Sequence, residues 1–378
     1  MKPKVALIGA AGHGLSHRKH LTALAEAGEL DFVALCDTAP IEDAGRLPVF
    51  TDHRQMLEHK RPDVVVICTP PFTHEPIAVD CVRAGADLLL EKPPVLSLAE
   101  HATLAAVLAE QGRFCQVGFQ ALGSPALPLI RRAVADGVLG EVVGVSAYGA
   151  WQRADSYWSR SPWAGRRSVH GRPSVDGALA NPFAHAVMQC LALLPGGPPA
   201  EFAIELERFR ARDIEVDDTS CVRIVPRHGP AVVVAVTLCA EGFTPGQVLV
   251  HGTEGRVELE YPTDRLRLPG EAGFTQLGGR EDLLLNLLAH RRDPGVALLA
   301  PLALTAPFTA VVEAVQAAAD PWPVDPARLS IRGEGPSRTV VVQGVDAVVR
   351  AAAERLALFS ELSGLDGVET LRAPKGAA

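Results

Sequence analysis

The sequence predicts an α/β plus α+β chain of two domains. A doubly wound parallel sheet is expected over residues 1–120, and an α+β domain on a mostly antiparallel open sheet over 121–378. Three observations carry this. Five short runs in the first 120 residues, "KVALIGA", "DFVALCD", "VVVICT", "ADLLLE" and "RFCQVGF", are rich in Val, Leu and Ile without alternation, as strands buried on both faces are. Helical stretches separate them, the rhythm of right-handed crossover units. Beyond residue 120 strand-like runs follow one another with only turns between, the pattern of an antiparallel sheet.

Helix ends are marked by glycine. "HRKHLTALAEAG" stops at Gly28 and "HEPIAVDCVRAG" at Gly85, where a left-handed residue ends a helix. "SLAEHATLAAVLAEQG" opens with Ser97 and Glu100, the spacing of a capping box. In the second domain "PALPLIRRAVADGVLG" reads as a helix and "EVVGVSAYGAW" as an alternating strand. "AEFAIELERFR", "TSCVRIVP", "AVVVAVTLCA", "GQVLVHGTEGRVELEY" and "DRLRLP" read as further strands. Residues 325–372 add a strand, "TVVVQG", and a helix, "VDAVVRAAAERLALFSEL", with no assigned place.

The formal charge of −8 argues against a nucleic-acid partner, which needs a basic face. Seven cysteines lie without any CxxC spacing; this reads as reduced thiols in a cytoplasmic protein, and no metal site is expected. The opening "MKPKVALIGAAG" has too short an apolar run for a signal peptide and reads as a first strand. Pro294 to Val312 lacks charge but contains three prolines, so a buried helical region is expected there rather than a membrane span.

The first strand runs into Gly9-Ala10-Ala11-Gly12-His13-Gly14. Against G-x-G-x-x-G, Ala11 replaces the second glycine. Gly9 serves a tight turn, a small residue at 11 lets a pyrophosphate approach, and Gly14 allows close helix–strand packing. Gly12 and His13 complete a turn that opens on a helix N-terminus suited to phosphate. The second strand ends in Asp37, placed to accept hydrogen bonds from an adenosine ribose and to repel a 2′-phosphate. No arginine lies between Asp37 and Arg46. The expected cofactor is NAD rather than NADP.

In such sheets ligands bind at the carboxyl ends of the strands. Thr69 and Pro70 of "CTPPFTH" follow one strand, and His74 opens the next helix. Glu91 and Lys92 of "LLLEKPPVLS" follow another. Neighbours on a strand point to opposite sides, so one of this pair is free to hold the cofactor while the other faces substrate. A Lys-Pro bond also permits a cis turn.

"VALIGAAGHG", "VVVICTPPFTHEPIAV", "ADLLLEKPPVLSLAE" and "GFQALGSPALPLIRRAVADGVLGEVVGV" together resemble the Gfo/Idh/MocA oxidoreductases, strongly over residues 4 to about 150 and more thinly to about 320. The resemblance implies an active-site role for Lys92, with Glu91 near the nicotinamide ribose. It also implies an α+β second domain whose sheet often forms a subunit interface, hence a dimer or tetramer. Such proteins usually carry an aspartate and, four residues on, a histidine. "DGALANPFAHAVMQCLALL" matches with His185, but Asn181 stands at the aspartate position. Four residues apart on a helix share a face, so Asn181 is expected beside His185, with Asp176 as a compensating charge.

Five of the seven Trp and Tyr residues fall between Tyr148 and Trp163, in "YGAWQRADSYWSRSPW". Arginines are interleaved or follow. Aromatic faces suit a sugar ring, and arginines fork onto hydroxyls or a carboxylate. Trp151, Arg153, Tyr157, Trp163 and Arg166 are the expected substrate wall, with Asp176.

The reading is an NAD(H)-dependent oxidoreductase for a sugar, polyol or related hydroxy compound, with no nucleic-acid or membrane partner. Lys92 would polarise the reacting oxygen, His185 would exchange the proton, and Asn181 would orient it. Two alternatives stay open: a lyase or glycosidase-type cycle with transient oxidation, and a non-catalytic sensor on the same scaffold.

Overall fold

The computed structural model describes residues 2–198, 200–364 and 367–371. They form two compact units: residues up to Gln120 with Glu281–Ala310, and Ala121–Arg280 with residues from Val311 on.

In the first unit the strands are β1 (Lys4–Ile8), β2 (Asp31–Cys36), β3 (Val49–Phe50), β4 (Val64–Ile67), β5 (Asp87–Leu90) and β6 (Cys115–Val117). They pair in parallel in the order β3-β2-β1-β4-β5-β6. The central strands are fully buried, Val64 to Ile67 all at 0% exposure, which explains their unbroken apolar runs. Helices α1 (Gly14–Glu26), α2 (His53–Lys60), α3 (His74–Arg83) and α4 (Leu98–Gln111) connect them. Ser97 caps α4 as expected, accepting the Glu100 N–H; Glu100 reaches back one residue further, to the Leu96 N–H. The short α2 was not foreseen. Asp52 caps it by accepting the Arg54 N–H, and Arg61 ends it in the left-handed region.

The helix Leu283–Arg292 and the chain to Ala310 belong to this first unit, whereas the sequence reading places them in the second domain. Buried polar pairs explain the return. The Gln116 amide donates to Asn286 Oδ1 at 2.7 Å and accepts from the Ala300 N–H at 2.8 Å. Arg291 pairs with Asp87 and Asp63. Leu283, Leu284, Leu287 and Leu288 are buried on the same helix, and Phe308 packs edge-on against Phe119, centroids 5.0 Å apart.

The second unit contains α5 (Ala126–Ala135), β7 (Val142–Gln152), α6 (Asp155–Trp158), the small hairpin β8 (Ser168–Val169) and β9 (Arg172–Pro173), and α7 (Ala184–Ala192). Its further strands are β10 (Phe202–Arg210), β11 (Thr219–Pro226), β12 (Ala231–Thr237), β13 (Cys239–Gly252), β14 (Arg256–Glu260), β15 (Arg265–Arg267), β16 (Thr275–Gln276) and β17 (Trp322–Pro323). They form a sheet in the order β16-β15-β14-β13-β7-β12-β11-β10-β17. Only the pairs β7·β12 and β10·β17 are parallel.

The C-terminal helix Val345–Arg355 now has a place. Val345, Val348, Val349 and Ala352 pack in one core with Phe209, Cys221, Val233 and Ala235 of the sheet. Asp346 accepts the N–H groups of Glu241 and Gly242, each at 2.9 Å. Gly144 of β7 leaves the space that Leu356 fills; a Cβ there would stand 2.2 Å from Leu356 Cδ1. Gly149, of opposite parity, gives room in the same way to Phe183 just before α7. Alternate residues of a strand face opposite ways. The centre of this sheet is therefore covered on both faces.

Candidate active site

The residues expected to hold a dinucleotide all lie at the carboxyl ends of the first unit's strands. Gly9 has φ +85°, and a Cβ on it would reach 2.3 Å from the Cys68 carbonyl oxygen. At Gly14 a Cβ would meet the Gly9 carbonyl at 2.0 Å. Both positions exclude any side chain. Gly12, at φ +55°, faces open space, as a turn that cradles phosphate requires. Helix α1 begins at Gly14, with His13 as its N-cap.

Asp37 does more than face a ribose. Its Oδ2 accepts the N–H groups of Ala10 and Ala11 at 2.9 and 3.1 Å, and its Oδ1 that of Ala39 at 3.0 Å. The carboxylate thus ties the end of β2 to the glycine turn, and its lone pairs are not exhausted by three bonds.

After β5, Glu91 is buried at 7% exposure. His17 Nε2 lies 2.9 Å from its Oε1 and His13 Nε2 3.8 Å. Gln120 donates to the same oxygen at 3.3 Å, and the Lys92 N–H to Oε2 at 3.1 Å. Burial pushes the Glu91 carboxyl up, but the hydrogen bonds and charge of His13 and His17 outweigh it and hold the group well below the ordinary carboxylate range. The Glu91 bond in turn pushes His13 up, against its partial burial. Gly118 makes room for this carboxylate, since a Cβ there would stand 2.9 Å from it. The Lys92–Pro93 peptide is cis. His74 is a brace: its buried ring spans the Pro93 and Thr69 carbonyls at 2.9 and 2.8 Å, and burial pushes its pKa down. Thr69 is held by the Thr73 hydroxyl at 2.7 Å, which also bonds the Pro70 carbonyl.

In the second unit the aromatic segment forms a stack. The Arg153 guanidinium lies 4.9 Å from the Trp151 ring and 5.1 Å from Tyr157; Arg160 lies 3.7 Å from Tyr157 and 4.5 Å from Trp163. Trp151 packs on Phe183 at 4.2 Å. Burial pushes the Tyr157 phenol up to about 12. Arg160 also reaches Asp176, which is 2% exposed and accepts the Gly165 N–H at 2.8 Å. Arg166 lies outside the stack, in an exposed pair with Glu215.

Asn181 departs from the helical expectation. Helix α7 starts only at Ala184, after Pro182, so Asn181 sits in the preceding turn and His185 in the first helical turn. The Asn181 amide donates to Asp176 Oδ1 at 3.0 Å. Asp176, expected as a compensating charge, thus meets Asn181 through a hydrogen bond the sequence did not foretell.

His17, Gly118 and Gln120 were missed. His17 was visible as a histidine four residues after His13, one turn along the same helix. Gly118 and Gln120 follow β6 in the same row of strand ends as Glu91, and only the fold brings them there.

Residues 4–119 match the family described as "Oxidoreductase family, NAD-binding Rossmann fold", and residues 129–258 match "GFO/IDH/MocA C-terminal domain". D-glucoside 3-dehydrogenase of Escherichia coli (strain K12) is 27% identical over 150 residues, 38% of this chain and 42% of that protein. The match therefore spans less than half of that relative. Rhizopine catabolism protein MocA of Rhizobium meliloti is 26% identical over 277 residues, 71% of this chain and 81% of that protein. The crystal structure of the WlbA dehydrogenase from Bordetella pertussis in complex with NADH and UDP-GlcNAcA shares the fold at 22% identity and a TM-score of 0.68, over 83% of this chain and 95% of that one. Among the described residues, no helix is long and apolar enough to cross a membrane.

Proposed function

The chain belongs to the Gfo/Idh/MocA oxidoreductase family, and on that premise we propose that it is an NAD(H)-dependent dehydrogenase for a sugar, polyol or related hydroxy compound. The observation that carries the proposal is the strand-end row of the first unit. A glycine turn with no room for side chains at Gly9 and Gly14 stands beside a buried carboxylate, Glu91, whose neighbour is Lys92. The turn and the start of α1 fit a pyrophosphate. Asp37 fits a ribose and disfavours a 2′-phosphate. NAD, when bound, carries the hydride.

The chain's own residues supply placement and proton handling. Lys92 donates to the reacting oxygen and stabilises charge there. His185 takes or gives the hydroxyl proton. Asn181, fixed by Asp176, sets the turn from which His185 enters α7. The stacked Trp151, Arg153, Tyr157, Arg160 and Trp163 offer ring faces to a sugar and guanidinium edges to hydroxyls or a carboxylate. WlbA was crystallised with a nucleotide-linked sugar acid, which makes sugar acids the first substrates to try.

A panel of sugars, polyols and sugar acids with NAD, followed by NADH absorbance, tests the reading. Net NADH formation with one of them is the expected result. Product without NADH accumulation would replace net oxidation by an internal redox cycle, and failure to bind NADH at all would overturn the proposal.

Two smaller effects follow. Asp37→Ala removes a carboxylate placed to accept hydrogen bonds from the adenosine ribose, so NAD binding should weaken by about 1.5–3 kcal/mol, with NADP affected less. Equal NAD affinity by titration would make Asp37 a turn residue only. Arg160→Ala removes a guanidinium offered to substrate hydroxyls or a carboxylate, so KM should rise about tenfold or more, the size of a lost charge-assisted hydrogen bond, with NAD affinity unchanged. An unchanged KM would assign the stack to packing within the unit.

A further inference from the structure

We propose that His13, His17 and Glu91 form a binding site for a divalent transition-metal ion, Zn²⁺ in the first instance. One ligand atom from each residue lies within 4.8 Å of the other two. A tetrahedral ion about 2.1 Å from each ligand needs ligand atoms about 3.4 Å apart. The two separations to Glu91 Oε1, 2.9 Å from His17 and 3.8 Å from His13, straddle that value.

Two imidazoles and one carboxylate are a ligand set that suits zinc. His13 and His17 stand one helical turn apart at the start of α1 and project the same way, their rings edge to face at 5.4 Å. Glu91 comes from the end of β5, a different element, which makes the cluster a convergence and not a local repeat. It is also held in advance. Gly118 leaves its slot, Gln120 donates to Oε1 and the Lys92 N–H to Oε2, the kind of outer support that orients metal ligands. Exposure is graded: Glu91 and His17 side chains are 9% and 12% exposed, His13 64%. The ion would sit on a rigid base with its fourth position open to solvent or to an anionic ligand.

The test uses the full untagged chain, stripped with chelator and free of dinucleotide, so that its outcome is independent of the dehydrogenase reading. Calorimetric titration with Zn²⁺ alone should show one equivalent bound. Co²⁺ should bind with the visible absorption of a four-coordinate ion. His17→Ala and His13→Ala should each lower Zn²⁺ affinity about tenfold or more, about 1.4 kcal/mol. His13 is exposed, so its variant tests the ligand without threatening the fold; His59→Ala, on α2, should leave the affinity as it was. Absence of saturable Zn²⁺ binding, or wild-type affinity in the His13→Ala/His17→Ala double variant, would overturn the proposal.

Discussion

Lys92→Met should lower kcat about 100-fold or more while NAD affinity stays within about threefold. The expectation rests on how the residue is held. Its backbone N–H is fixed by Glu91 Oε2, and Glu91 is fixed by His17 and Gln120. The backbone is thus positioned by groups other than the ammonium, so the fold should survive its loss. Methionine keeps most of the stem and its packing. Only the charge that would stabilise a developing alkoxide disappears. Steady-state kinetics on an identified substrate and calorimetric titration with NADH measure the two halves separately. A variant with near-normal kcat would return Lys92 to a strand-end ion pair. A variant that loses NADH binding as strongly as turnover would make it a cofactor ligand rather than a group acting on the reacting oxygen.

The first unit was legible in the sequence because its signals are local. Buried parallel strands are continuous apolar runs, helices end on glycines, and the turn at Gly9–Gly14 follows from sterics within a few residues. The helix Leu283–Arg292 was not legible as part of that unit. Its assignment depends on Gln116 meeting Asn286 and on Arg291 meeting Asp63 and Asp87, pairings between distant parts of the chain that leave no periodic trace. The C-terminal helix was seen as a helix but could not be placed, because the complementary feature, a missing side chain at Gly144, is one glycine within an alternating strand. The candidate site divides in the same way. Strand-end residues Asp37, Glu91 and Lys92 were found from topology. Their hydrogen-bond partners, including His17 and the Ala10 and Ala11 N–H groups, are brought to them only by the folded chain. Asn181 lies in the turn before α7, which begins after Pro182, so its hydrogen bond to Asp176 could not be read from helical spacing.

That turn yields a prediction with an explicit pH sign. Asn181 donates its amide to Asp176 Oδ1 at 3.0 Å, and Asp176 is 2% exposed. Asn181→Asp replaces the donor with an acceptor and brings two carboxyls into hydrogen-bond contact in a buried turn. Loss of a charge-assisted bond plus unrelieved repulsion should remove about 3–5 kcal/mol of stability at neutral pH. Two such groups cannot both ionise readily, so one proton is retained and the folded-state pKa of the pair rises above that of unfolded carboxyls. A group whose folded pKa is raised contributes stability that is present at low pH and lost as pH rises through the raised value. The deficit of Asn181→Asp relative to wild type should therefore be small near the ordinary carboxylate pKa and grow toward neutrality. Urea unfolding of both proteins across the acid-to-neutral range measures it. The double variant Asp176→Asn/Asn181→Asp restores one donor and one acceptor and should recover most of the loss at neutral pH. The negative charge expected beside His185 would then stand at 181 instead of 176. Equal stability of Asn181→Asp and wild type at every pH would show that the two side chains do not meet. A deficit that shrank as pH rose would show that the inserted carboxylate is stabilised in ionised form, by Arg160 or another cation, and the account of Asp176 as the charge of this turn would fall.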